Sequence, residues 1–219
     1  MKKSFRSALA FVLVLTMICT ACSTAWISEA ENIVAALLPA AANIIALISA
    51  VKGGQESAAD LQAINEAGAQ AQGDLQLVQT LVSEYEKADA SAQPGLLVQI
   101  QTAIATAQTN LGSILPSLHI KDAATQAKIT ALVSVVLSEI ESLAAIVPLV
   151  KPGASSAMVA MATRQASRTM PLSADEFVTA YNKTMTAKTG NGSLDKAASG
   201  LAIHRHGKLA RVATGGLLK

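Results

Sequence analysis

"LQAINEAGAQAQGDLQLVQTLVSEY", residues 61–85, is the stretch whose reading decides the fold. Leu61, Ile64, Gly68, Ala71, Leu75, Val78, Val82 and Tyr85 recur in it at spacings that alternate between three and four. Residues spaced this way fall on one stripe of an α-helix, whereas a half-buried strand needs a period of two. The spacing therefore predicts one helix over residues 57–88, capped by Ser57 with Asp60 and buried along a seam. Gly68 and Ala71 put almost no side chain into the middle of that seam, so a neighbouring helix can come closest there.

The same alternation appears three more times. Over residues 27–51, Ile33, Val34, Leu37, Leu38, Ala41, Ile44, Ile45 and Ile48 form one apolar face. Ser28 with Glu31 reads as a capping box, and Gly53-Gly54 ends the segment. A third helix is expected over residues 96–115, with Leu97, Ile100, Ile104, Ala107, Leu111 and Ile114 on its face, after a break at Gln93-Pro94-Gly95 and before Pro116. A fourth is expected over 122–147, carrying Ile129, Leu132, Val136, Ile140, Leu143 and Val147, with Pro148 and Pro152-Gly153 closing it. Aromatic residues make up only 3% of the chain and alanine supplies much of its apolar content, which favours helix over sheet. The expected fold class is all-α: an up-down-up-down four-helix bundle over residues 22–150, joined by turns too short to do more than reverse the chain. Leu75, Val78, Ile104, Ile129, Val136 and Ile140 are its candidate core.

Charge changes sign after the fourth helix. Residues 22–150 hold four lysines against twelve acids, a net of −8, while residues 151–219 hold ten Lys/Arg against three acids, a net of +7. Residues 151–219 thus read as a basic C-terminal tail, partly disordered, with one or two short helices. The stronger of these has Ser173 and Glu176 placed as a capping box, Leu172 and Phe177 as a hydrophobic staple, and Phe177, Tyr181 and Met185 on one stripe. It ends at Gly190-Asn191-Gly192, and a second short helix can start at Ser193. Opposite charge gives the tail a reason to lie back on the bundle, or to reach an anionic surface. The staple helix is the part expected to dock specifically, through Phe177, Tyr181 and Met185.

The amino terminus has its own pattern. Lys2, Lys3 and Arg6 precede a largely apolar run of eleven residues, 8–18, which is too short for the about 20 residues a bilayer requires. Small residues follow, Cys19-Thr20-Ala21-Cys22. This is the layout of a secretory signal peptide. Its end resembles the lipobox of bacterial lipoproteins: Thr20, Ala21 and Cys22 fit the last three places, with Cys19 where leucine is usual. The resemblance covers about 25 residues, and implies removal of residues 1–21 and lipidation, including palmitate, at Cys22. Two other readings stay open. Ordinary cleavage after Ala25 fits Ser23-Thr24-Ala25, and Cys19 with Cys22 matches a redox or metal CxxC pair in spacing alone. With Ser23 after the cysteine, the resemblance implies the outer membrane, facing the periplasm, if the cell is double-membraned.

No constellation for catalysis stands out, and no cofactor is implied. The sequence has no phosphate loop, nucleophile elbow or zinc-protease motif. His204 and His206 flank Arg205, which repels a cation, and read as part of a solvated basic tail. Glu139 and Glu141, two apart on the fourth helix, read as a solvated polar face. His119 reads as a surface turn residue and Asn43 as a polar edge position. The expected function is a non-enzymatic cell-envelope lipoprotein, a helical scaffold or adaptor tethered through Cys22. Its expected partners are the membrane, through the anchor, and an envelope protein or an anionic wall or lipid surface. Nucleic acid is not expected, because the aromatic stacking platforms are missing. The alternative is a membrane-inserting or pore-forming protein that uses residues 33–51, nineteen residues without a charge.

Overall fold

The computed structural model describes residues 25–51, 58–149 and 173–204. Among these it contains α1 (Ala25–Val51), α2 (Ala58–Lys87), α3 (Gln93–Gly112), α4 (Ala123–Ile146), α5 (Ala174–Thr186) and α6 (Gly192–Ser199), with a 3-10 turn at Leu115–Ser117. No strand occurs among the described residues, and the fold is all-α as expected.

Four of the helices follow from the apolar stripes. Leu75, Val78, Ile104, Ile129, Val136 and Ile140 are all buried in one cluster. The helix boundaries differ from expectation where local chemistry allows more than one reading. Helix α1 already includes Ala25, so Ser28 and Glu31 lie inside it rather than at its cap. Helix α3 begins at Gln93 rather than after Gly95, because proline in a first helical turn loses no hydrogen bond that the helix would have made. The Asp122 side chain caps α4 by accepting from the Thr125 amide at 2.7 Å. The Ser57 cap and the Gly53-Gly54 and Pro152-Gly153 breaks lie outside the described residues.

Helix α1 packs against α2 and α4, and α3 packs against the same two. Specific contacts set the register of each pair. The Trp26 and Tyr85 rings meet edge to face at 5.1 Å, joining the start of α1 to the end of α2. Asn110 donates to Asp74 at 2.7 Å between α3 and α2. Between α3 and α4, Gln108 donates to Glu141 at 3.3 Å, and Gln101 donates to the carbonyl of Pro148 at 2.6 Å.

Gly68 marks a close approach of α1 to α2. A Cβ built there would lie 2.5 Å from Cδ1 of Ile45 on α1 and 2.6 Å from its Cγ1. Ile45 is only partly buried, so its end can yield to a methyl group, and alanine also gains about 1 kcal/mol of helix propensity over glycine. Gly68→Ala should therefore be close to neutral. Gly68→Leu has no such room and should destabilise by about 1–3 kcal/mol in denaturant unfolding. A Gly68→Leu protein as stable as the parent would mean that α1 and α2 do not cross there.

The core does not stop at the fourth helix. Helix α5 packs on α1 and α4, and α6 packs on α1 and α5. Phe177, Tyr181, Met185, Leu194 and Ala198 are almost wholly buried in the same cluster as the residues of α1–α4. One core thus crosses the 150/151 boundary at which composition changes. Both halves of the Ser173–Glu176 capping box are present. Leu172, its staple partner, lies outside the described residues. Asn191 caps α6, and the turn before it passes through Gly190 at φ +84°, a left-handed conformation that glycine adopts without strain.

Net charge does not explain this docking. The described part of the tail carries Lys183, Lys188 and Lys196 against Asp175, Glu176 and Asp195 and is electrically balanced. The basic excess of residues 151–219 comes wholly from positions outside it. What holds α5 is its apolar stripe.

Candidate functional site

Helices α5 and α6 cover a seam of polar groups on α1 and α4. Three clusters lie along it, and each has a different electrostatic character.

At the first, Tyr181 of α5 is completely buried and donates from its hydroxyl to the carbonyl of Ala40 at 3.3 Å. Burial pushes its phenol well above the ordinary tyrosine range, and a hydrogen bond with Asn43 opposes that only in part. Asn43 also donates to the carbonyl of Leu201 at 2.8 Å. It is therefore not merely a polar edge position but ties the chain after α6 to α1. Asn182 continues the same work on α5, exchanging hydrogen bonds with the backbone of Ile203 at 2.8 and 2.9 Å.

The second cluster is an ion pair. Lys128 on α4 lies 3.7 Å from Asp195 on α6, with side-chain exposures of 3% and 10%, and donates to the carbonyl of Ala187 at 2.8 Å. Burial lowers the lysine's pKa, and the attraction of Asp195 only partly restores it. Burial also pushes Asp195 upward, but hydrogen bonds from Thr189 and the charges of Lys128 and Lys188 outweigh it, so its carboxyl sits below the ordinary value. The Thr189 amide and hydroxyl both donate to Asp195 at 3.0 Å, which fixes the turn between α5 and α6.

The third cluster is acidic. Glu139 on α4 has no exposed surface, and neither of its carboxylate oxygens has a hydrogen-bond partner among the described residues. Its expected place on a solvated face is thus corrected. Glu141 does lie exposed, bonded to Gln108. Around Glu139 stand Glu29 of α1 and Glu176 of α5. The first accepts from the Ala174 amide at 3.4 Å and the second is held in the capping box. Burial, then the charges of Glu29 and Glu176, push the Glu139 carboxyl up to about 8. It is therefore mostly protonated at neutral pH, as a neutral acid needs far less solvation than a carboxylate.

The spacing carried a signal for these buried polar groups. Lys128 lies four before Leu132, and Glu139 three after Val136, so both border the apolar stripe of α4. With four helices in view that border faces water. A fifth helix covers it.

Among the described residues, no group of three His, Cys, Asp or Glu side chains is placed to hold a metal ion. His119 lies exposed in the turn after α3 with its Nδ1 3.6 Å from Asp60. His204 is exposed, and His206 lies outside the described residues. Cys19, Cys22 and residues 1–21, the expected signal segment, also lie outside them. Helices α1 and α4 are each long and apolar enough to cross a membrane by length and composition, and both contribute much of their apolar surface to the core. No family model matches this chain, and neither does any curated protein or solved structure.

Proposed function

We propose that this chain is a non-enzymatic lipoprotein of the cell envelope, a helical scaffold or adaptor tethered through Cys22. The observation that carries the reading is the short distance from Cys22 to the folded body. Helix α1 begins at Ala25, and Trp26 and Ile27 are already buried in the core. Only Ser23 and Thr24 intervene. At about 3.3–3.6 Å per residue, a lipid on Cys22 holds the body within about 10 Å of the bilayer surface.

The same feature disfavours cleavage after Ala25. That cut would place a new ammonium group on Trp26, at the positive end of α1, beside a side chain sealed against Tyr85. The contacts that join the start of α1 to the end of α2, and the end of α4 to α3, support the up-down-up-down arrangement of the four long helices. They also put Pro148 and the exposed Leu149, just past α4, at the end of the bundle nearest the anchor. That end faces the membrane, and the opposite end, with His119 and the turn around Gly190, is presented to a partner. The basic residues outside the docked helices can then meet anionic lipid or wall polymer.

Cys22→Ser should remove the lipid mass and release the protein from the membrane fraction, or leave it unprocessed. Cys19→Ser should change neither. A Cys22→Ser protein with parental mass and membrane fraction would refute the anchor. The membrane-inserting alternative draws on residues 33–51 of α1, which like α4 is long and apolar enough to cross a membrane. The way these helices pack on each other and on their neighbours counts against it. Alkaline carbonate extraction after proteolytic removal of the lipidated residue separates the two: a soluble bundle supports the tether, and a fragment retained in the bilayer supports insertion.

A further inference from the structure

We infer that α5 is a proton-linked latch, which docks on α1 and α4 only while the Glu139 carboxyl holds a proton and is released when that proton is lost. Three observations place the latch here. The Glu139 side chain is sealed at the joint of three helices, with no donor for either oxygen among the described residues. The charged group facing it from α1 is Glu29 and the one from α5 is Glu176, both acids. On α3, Gln108 donates to Glu141. Lys128, on the same helix, is about three turns or 16 Å away and is engaged with Asp195 and the carbonyl of Ala187.

A carboxylate formed at Glu139 would thus be buried, without a donor and beside two negative charges. These costs are relieved when α5 lifts away, because water then reaches Glu139 and screens Glu29, and Glu176 leaves with the helix. Undocking is local in reach. Apart from the bonds at Glu29, Ala40, Asn43 and Lys128, α5 and α6 bond chiefly to each other, so they can leave while α1–α4 stay packed. The device is independent of whether Cys22 carries a lipid.

The sign follows from proton linkage. The docked carboxyl titrates at about 8 and the solvated one at 4.5. Between those values docking takes up one proton, so the docking constant falls about tenfold for each pH unit gained. Below the window docking is strongest and constant. Above it docking is weakest, on the order of a thousandfold lower.

The test is amide hydrogen exchange on the full-length protein from pH 5 to 9, corrected for the intrinsic pH dependence of exchange. Protection of Ala174–Thr186 should fall about tenfold per unit across the window, while the central amides of α2 and α3 hold theirs. Glu139→Gln removes the titrating group and should flatten the α5 profile. A flat profile in the parent, or an undiminished slope in Glu139→Gln, overturns the latch. If Glu139→Gln does not fold, Glu29→Gln serves instead. It keeps the acceptor for the Ala174 amide and removes one repelling charge, so the upper edge of the window should move to lower pH. An unmoved edge overturns the proposal.

Discussion

Ending the chain at Val150 should destabilise the helical bundle by several kcal/mol and leave it with an adhesive apolar face. The fragment loses the burial of Phe177, Val178, Tyr181, Met185, Leu194 and Ile203 against α1 and α4. Each such side chain contributes about 1.5–3 kcal/mol when buried. Ordering the residues of α5 and α6 costs conformational entropy, which offsets much of that gain in the intact chain. The net loss is therefore a fraction of the gross burial. What remains also matters: the face of α1 and α4 that α5 covered becomes solvent-exposed, and Lys128 loses both Asp195 and the Ala187 carbonyl. For a chain of this size each kcal/mol lowers the melting temperature by about 2–4 °C. Thermal unfolding followed by circular dichroism, together with binding of an apolar dye, checks both expectations. A fragment that melts with the parent and binds no dye would show that α5 and α6 are an appendage.

Asp195→Asn should destabilise the protein clearly, because it takes the carboxylate away from an ammonium group that is almost wholly covered. The two side chains are 3% and 10% exposed, so water cannot take over the role of the lost carboxylate. Lys128 would keep a single neutral acceptor, the carbonyl of Ala187. The pH dependence has a definite sign. Burial already lowers the lysine's pKa in the folded protein, and loss of Asp195 lowers it further. The folded variant then holds fewer protons than the unfolded chain over a wider alkaline range, so its stability deficit relative to the parent should shrink as pH rises. That slope is opposite to the one expected from Glu139, which keeps the two effects apart in one denaturant series. The double variant Lys128→Met, Asp195→Asn should recover much of the loss, because it leaves no unpaired charge in the core. An Asp195→Asn protein within about 0.5 kcal/mol of the parent at neutral pH, the range of an ordinary surface substitution, would place the pair in solvent.

Much of this protein was decided by sequence alone. The alternation from Leu61 to Tyr85, repeated around Ile104 and Ile140, determines helices with apolar stripes, because only one backbone geometry brings such positions together. The cap at Asp122 and the capping box at Ser173 are local, made by side chains within three residues of the amides they satisfy, and are equally legible. Gly68 announced a close crossing for the same reason: the absence of a side chain is itself a local fact. What the sequence could not decide was which surfaces meet. Lys128, Glu139 and Asn43 look like solvated residues until α5 and α6 are laid over them, and those helices are separated from α4 by residues 147–173. Burial depends on distant chain segments, and a charged residue carries no local mark of whether another helix will cover it. Tertiary packing alone turned Glu139 from a surface carboxylate into a neutral acid, and Lys128 with Asp195 into a buried pair.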